Sequence, residues 1–342
     1  MEHPSFDTPP AGSIRFNTDS KMLEIYNGEK WWNIDDISGV IWDGSGTTAG
    51  RGICVGGNTG SYTNVIEYIT INSNSNGTDF GDLSDQLGEV RVASSRTRGV
   101  MGGGFDGSTN KNVIEYITFS SLGNATDFGD LLNPQRGSSG GSNQTRAVWA
   151  GGYINPTNVN VIQYVTIAAT GNAVDFGDYT NPDSATLGGT GTACSPTRMV
   201  MGGNGYDGCS YLTFSTTGNT SFFGNETTTG GITKNISSSS TRGVFWHSDN
   251  TISYCTIATL GNFVDFGDAT TIGFNSGSGC SSQTRSVAFS GWNNPGSGHE
   301  NKNYIDYVNI PTTGNATDFG ELTAAKNGTG GGSDSHGGVQ SS

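Results

Sequence analysis

The residues whose types and spacing come nearest to chemistry lie in an acidic block that returns six times. It reads TDFGDL from Thr78 and again from Thr126, VDFGDY from Val174, SFFGNE from Ser221, VDFGDA from Val264 and TDFGEL from Thr317. The pairs Asp79 with Asp82, Asp127 with Asp130 and Asp175 with Asp178 could hold calcium or act as acid and base. Catalysis needs such a pair once, whereas a group present in most repeats is more simply a turn cap. It could equally partner the repeated Arg98, Arg146, Arg198, Arg242 and Arg285, because a guanidinium fork matches a carboxylate. The structural role is preferred here, with calcium as the alternative.

Other candidate motifs fail on context. The tripeptide DFG also occurs in the metal-binding segment of protein kinases, but no strand lysine, HRD loop or APE segment accompanies it. GGGFDG and GGNGYDG lack the GK(S/T) ending and the following helix of a phosphate loop. His3, His247, His299 and His336 are scattered, with no Ser or Cys motif to activate. The expectation is therefore a non-enzymatic protein with no catalytic residue, metal or cofactor. NxT strings such as Asn76-Gly77-Thr78 and Asn124-Ala125-Thr126 keep register with the block and read as turn residues.

A net charge of −14, with only 13% of residues charged, argues against nucleic-acid binding, which needs clustered Lys and Arg. No stretch approaches a membrane span and the N-terminus has no standard signal peptide, so no membrane insertion is expected. Cys54, Cys194, Cys209, Cys255 and Cys280 form no CxxC pair and read as small buried residues.

Positioning elements emerge when the chain is compared with itself. Upstream of each acidic block stands a β-branched and aromatic run, as in NVIEYITI from Asn64, NVIEYITF from Asn112 and NYIDYVNI from Asn303. Upstream again comes an arginine run ending mostly in paired glycines, as in RGICVGG from Arg51 and TRGVMGGG from Thr97. This order of arginine strand, glycine pair, tyrosine strand and DFGD turn recurs from Arg51 to Leu322, a period that implies a propeller or solenoid. Alternation puts Ile66, Tyr68 and Thr70 on one face and Val65, Glu67, Ile69 and Ile71 on the other, so neither face is wholly polar. Sheets buried on both faces suit radially stacked blades. The glycine pair would allow close approach near the axis. Phe80, Phe128, Phe176, Phe223, Phe266 and Phe319 would wedge between neighbouring sheets. The tail SDSHGGV, from Ser333 to Val339, reads as the start of another arginine strand with His336 in the Arg slot, and should pair near Arg51.

The glycine pair, aromatic strand and later aromatic resemble a shortened kelch repeat over roughly residues 49 to 339. The wording TRGVMGGG, NVIEYIT and GNATDFGDL is also similar to Gly-rich repeats of virion proteins of tailed phages, especially those of marine cyanobacteria. PAGSIRFNTDSKMLEIYNGEKWW, from Pro9 to Trp32, resembles a short module of phage fibre and appendage proteins that reads as a hairpin. The resemblance implies an all-β chain made of a hairpin attachment module at 1–35, a linker at 36–48 and a six-bladed propeller at 49–342, closed by the C-terminal strand. It also implies a virion location, with other virion proteins as partners through Trp31 and Trp32 and oligomerisation within the particle. Tyr62, Phe105, Tyr153, Tyr206 and Trp292, just beyond the glycine pair, are the candidate binding aromatics for host-surface polysaccharide. Receptor contact from a tail appendage competes with a capsid or tail decoration role. A bacterial carbohydrate-binding propeller or a propeller glycosidase is the remaining alternative. The last would need unique converging carboxylates, and Glu89 and Glu226 are isolated acids with no sign of pairing.

Overall fold

A computed structural model describes residues 9–17, 22–26, 28–29, 31–33, 50–180, 191–202, 208–226, 235–272, 274–289, 291–293 and 300–339. The chain divides into two compact units, Met1–Thr47 and Thr48–Ser342. In the first, β1 (Ile14–Asn17), β2 (Met22–Tyr26) and β3 (Trp31–Asn33) form an antiparallel sheet of three strands. The expected hairpin is thus extended by a third strand, which pairs Tyr26 with Trp31 and Ile25 with Trp32. Arg15 crosses one face, bonded to Glu24 at 2.7 Å and stacked 4.2 Å from the Trp31 ring.

The second unit is a six-bladed β-propeller. Its strands in chain order are β4 (Arg51–Val55), β5 (Val65–Thr70) and β6 (Thr78–Asp82), followed by β7 (Arg91–Ser94), β8 (Arg98–Gly102), β9 (Lys111–Thr118) and β10 (Thr126–Gln135). Next come β11 (Ser139–Ser142), β12 (Arg146–Ile154), β13 (Thr157–Thr166) and β14 (Val174–Asp178), then β15 (Thr192–Cys194), β16 (Arg198–Met201), β17 (Gly208–Thr213) and β18 (Ser221–Asn225). The fifth blade is β19 (Asn235–Ser238), β20 (Arg242–Trp246), β21 (Thr251–Thr256) and β22 (Val264–Asp268). The sixth is β23 (Ser278–Ser281), β24 (Arg285–Phe289), β27 (Tyr304–Asn309) and β28 (Thr317–Glu321), with a small ribbon of β25 (Trp292–Asn293) and β26 (Glu300–Asn301) between its middle strands. The last strand, β29 (Gly330–Ser333), returns to pair with β4, Gly330 opposite Val55 and Ser333 opposite Gly52, and completes the first blade.

Two elements differ from the sequence reading. The DFGD block is the outermost strand of each blade and not a turn. A bulge in the ladder leaves Phe80 and its five equivalents unpaired, and Gly81, Gly129, Gly177, Gly267 and Gly320 have φ between +146° and +149°. A bulge re-aims one side chain, here the phenylalanine, into the space between blades. A Cβ on Gly81 would also lie 2.3 Å from the Gly123 carbonyl oxygen of the next blade. The second difference is a short innermost strand of mostly small or polar residues, such as SGGS at Ser139–Ser142 and GGGS at Gly330–Ser333, that pairs with every arginine strand and precedes it in the chain in all blades but the first. These inner strands touch in a closed circle and line the axis. The glycine pairs lie instead at the far end of the arginine strands, where a Cβ on Gly56 would come within 2.3 Å of the Leu87 carbonyl oxygen.

Blades share their cores. Ile66, Phe80 and Leu83 of the first blade pack with Met101, Ile117 and Phe119 of the second, while Ile69 and Ile71 on the opposite face pack with Val287, Phe289 and Phe319 of the sixth. Four further clusters join the remaining neighbours. All six phenylalanines are buried in these seams, each worth about 1.5–3 kcal/mol by area removed from water.

Arginines complete the seams. Arg98 lies 4.7 Å from the Tyr116 ring of its own blade and donates to the Ile167 carbonyl of the next at 3.0 Å, and Arg285 does the same with Tyr307 and the Ile71 carbonyl, closing the circle. Arg51, Arg146, Arg198 and Arg242 repeat the arrangement. The expected pairing with the repeated carboxylates is replaced by a carbonyl and a ring face, because the guanidinium sits inside the seam while Asp79, Asp127, Asp175, Asp265 and Asp318 point to solvent.

At the axis, Ser142 Oγ accepts from the Ser94 N–H at 2.7 Å and donates to the Ser94 carbonyl at 2.8 Å. Ser238 does so with Cys194, Ser281 with Ser238, and Ser333 with Ser281, while Ser94 donates to the Ser333 carbonyl at 2.7 Å. Asp334 receives the Arg51 N–H at 2.8 Å, the turn bond that Ser95 makes to Arg98, so Arg51 and not His336 fills the arginine slot of the closing blade.

Ser281→Ala is expected to lower unfolding free energy by about 1–3 kcal/mol, read from urea midpoints, because it orphans a buried N–H and carbonyl of Ser238. Truncation after Thr329 removes β29 and should turn a cooperative thermal melt into an aggregating or non-cooperative one, while retention of a sharp transition would show that closure is dispensable.

Candidate functional site

Repetition consumes most polar groups of the propeller, so a site is sought where the repeat breaks. Between the arginine and tyrosine strands, loops project at the mouth where inner strands begin. Phe105 bridges both Gly88 and Asn110, and Tyr153 bridges Arg136. Tyr62 of the first blade meets Phe105 of the second edge-on, with centroids 5.7 Å apart. The guanidinium of Arg136, from the third blade, lies 4.1 Å from the Phe105 centroid and 5.1 Å from that of Tyr153. Phe105, Arg136 and Tyr153, together with Ser108, Thr109, Pro134 and Asn155, line an open groove of about 360 Å³, within the size range of small-ligand pockets, and Tyr62 stands behind Phe105, outside the lining.

Three of the candidate aromatics, Tyr62, Phe105 and Tyr153, thus form a row across three blades, and Phe105 and Tyr153 line the groove. Trp292 belongs to the sixth blade, where it pairs with Asn301 and bridges Asn275, and Asn301 in turn donates to the Asn58 carbonyl of the first blade. Tyr206 lies outside the described residues. Of the anchoring candidates, Trp31 is half-buried beside Tyr26 and Arg15, and the Trp32 side chain is outside the description.

Sequence reasoning missed Arg136 and treated Glu89 as isolated. Glu89 Oε2 stands 3.8 Å from Arg136 Nε, and Glu89 adopts φ +57°, a left-handed conformation that costs a non-glycine residue about 1 kcal/mol or more. Gly137 and Gly328 hold the same conformation just before the inner strands of their own blades, and the Glu89 N–H donates to the Gly328 carbonyl while its carbonyl accepts from Gly137. Ser276 holds this conformation before the inner strand of the sixth blade, so two blades place a non-glycine residue in this strained position and only Glu89 brings a carboxylate to it.

The electrostatics around the groove are otherwise self-neutralised. Lys111 bonds Asp106 at 2.9 Å and Asp85 at 3.4 Å, and the ammonium, with the backbone N–H groups of Thr109 and Ser108 that donate to the Asp106 carboxylate, holds it well below the usual range. The axis offers no comparable site. Its channel, lined by the inner strands, measures about 60 Å³, space for waters only. At the opposite mouth the tail turns inward: the Ser94 carbonyl accepts from His336 Nε2 at 3.0 Å, and Nδ1 accepts from the Gly338 N–H at 3.1 Å. A Cβ on Gly337 or Gly338 would lie within 2.2 Å of neighbouring carbonyl oxygens, so only glycine fits.

One cluster has the order of a hydrolytic triad. His247 Nε2 is 2.8 Å from Ser253 Oγ, and Nδ1 is 3.7 Å from Glu226 Oε2, whose other oxygen accepts from the Cys209 thiol at 3.1 Å. All four are buried in the seam between the fourth and fifth blades, and burial lowers the His247 pKa to about 4. The thiols are equally withdrawn: all five cysteines are free and buried, with Cys194 pushed up to about 11. Among the described residues no three ligating side chains gather as a metal site, and no helix is long and apolar enough to cross a membrane.

The fold and groove define a six-bladed β-propeller with an aromatic, arginine-bearing mouth. The chain matches no family model and no curated protein.

Two measurements test this geometry. Burial lowers both His247 and His336 to about 4, whereas in the unfolded chain each takes a proton below about 6.5. The unfolded state therefore binds more protons between those values, so stability is full above about pH 6.5 and falls as pH drops toward 4. The loss in unfolding free energy between pH 7 and pH 5 should be smaller in His247→Gln than in the parent by roughly 2 kcal/mol. The carboxyls raised by burial, Glu115 and Asp306, act in the opposite sense and are common to both proteins. Separately, Glu89→Gly should raise the melting free energy by up to about 1 kcal/mol through relief of the left-handed strain.

Proposed function

We propose that this chain is a non-enzymatic structural protein of a tailed-phage virion, a kelch-like propeller on a fibre or appendage. Its groove-bearing mouth contacts host-surface polysaccharide, and its N-terminal sheet joins the particle. The observation that carries the reading is the convergence of Phe105, Tyr153 and Arg136 on one open groove, with Tyr62 packed edge-on behind Phe105. Ring faces take the C–H faces of sugars, and the surrounding Ser, Thr and Asn side chains suit hydroxyls. A binding role fits better than hydrolysis because the residues lining the groove include no carboxylate, Glu89 stands beside it at 3.8 Å from Arg136, and the buried Glu226 belongs to a closed seam.

The attachment half of the proposal draws on the N-terminal unit. Ile14 and Phe16 are 61% and 60% exposed, on a sheet face opposite the one carrying Arg15 and its bonded Glu24. A three-stranded sheet of this size gains little stability alone, so an apolar face open to water suits a partner surface. Other virion proteins are the partners proposed for it.

Removal of residues 1–35 should yield a propeller that melts as the parent does and is absent from purified particles. Continued incorporation would sink the anchoring claim. Electron microscopy of intact particles separates the two placements: density at the distal tail supports host contact, and a regular array on the head would replace it with decoration.

A further inference from the structure

We propose that the groove is built to take the carboxylate of an acidic sugar unit, with Arg136 as its counter-ion. The inference rests on the polysaccharide reading above and names its ligand class. Its ground is the unusual state of one guanidinium. The repeated arginines each donate to a carbonyl of the next blade from inside a seam. Arg136 is outside the repeat, and its side chain makes no hydrogen bond with the described residues. Its nearest carboxylate, Glu89, stands at 3.8 Å from Nε, beyond hydrogen-bond reach. The terminal nitrogens therefore keep donors in a fork suited to a carboxylate.

That fork is held in place before any ligand arrives. Phe105 and Tyr153 flank the guanidinium at 4.1 Å and 5.1 Å from their centroids, which limits its rotamers and lowers the ordering cost on binding. Beside it, Asn110 spends its Nδ2 on the Tyr153 carbonyl at 2.9 Å and presents its Oδ1 to accept a hydroxyl. A carboxylated pyranose satisfies all three features at once: acid on the fork, ring face on Tyr153, hydroxyls on the asparagines.

Glu89 sets the affinity. Its carboxylate competes for the fork, and its left-handed backbone keeps it there at a cost to stability. The chain's net charge of −14 opposes an anionic polymer at long range, but that field is screened beyond about 8 Å at physiological salt, so the local guanidinium decides.

The test measures binding of the full chain by calorimetry to trigalacturonate, an alginate oligomer and sialyl-lactose. The comparisons are the methyl ester of trigalacturonate, galactotriose and triglutamate. At least one carboxylated oligosaccharide should bind about tenfold or more tighter than its neutral counterpart and than triglutamate, as expected for a charge-assisted pair plus a ring contact. Arg136→Gln should abolish the preference at an unchanged melting temperature, and Glu89→Gln should tighten binding about threefold or more by removing the competing charge. Equal binding of acid and neutral sugars, or a preference that survives Arg136→Gln, overturns the acidic specificity and leaves the polysaccharide reading standing. Triglutamate binding as tightly as the sugars overturns the sugar assignment. Absence of binding to every sugar overturns this inference, and if purified host-envelope polysaccharide is also ignored, the polysaccharide reading falls with it.

Discussion

An arginine laid over the tyrosine of its own blade, with its guanidinium on a carbonyl of the next, is the contact on which the rest of this propeller depends. Each sheet is apolar on both faces and has no core until a neighbour stands on each side. The phenylalanine beyond the tyrosine supplies the apolar part of that seam, and each tyrosine meets it edge-on at 5.6 to 6.1 Å. The arginine supplies direction, because it can be satisfied only by the next blade. Six such seams leave no free face, provided that the last blade reaches the first.

Closure is therefore a separate problem, solved by the C-terminal strand and its surroundings. β29 completes the first blade, Asp334 caps the turn to Arg51, and Lys326, almost wholly buried, pairs with Glu67 on β5. Outside the ring, Asn124 accepts from the Asp82 N–H of the preceding blade at 3.1 Å, and five other asparagines make the equivalent bond. Outer strand edges are thus covered by the next blade's turn, which removes the templates for strand addition.

A scaffold that uses the same residues six times leaves few groups for anything else. What remains lies where one blade departs from its neighbours: Arg136 without a carbonyl, Glu89 in a glycine conformation, and loops that carry Phe105 and Tyr153. The seam between the fourth and fifth blades departs too, with His247, Ser253 and Glu226 in place of the single Glu or Gln that serves in the first three. Exposure separates these two departures, since a ligand can reach the first and not the second.

The amino-acid sequence by itself determined the blade number, the two-faced tyrosine strand and the phenylalanine wedge, because each rests on a periodicity that repeats often enough to be seen without coordinates. It also marked Phe105 and Tyr153, the two aromatics that meet in the groove, through their position after the glycine pair. The inner strand escaped, since three or four mostly small or polar residues show no sustained hydrophobic alternation and hydroxyls bonded to the adjacent blade hold it. The arginine partners escaped for a related reason: local spacing suggested a carboxylate, but the guanidinium lies within a seam whose other wall is some seventy residues away, as in Arg98 and Ile167. Only the tertiary structure could decide that Arg136 stands between Phe105 and Tyr153, because the three come from separate segments of neighbouring blades and no pattern in one blade encodes what the next places beside it.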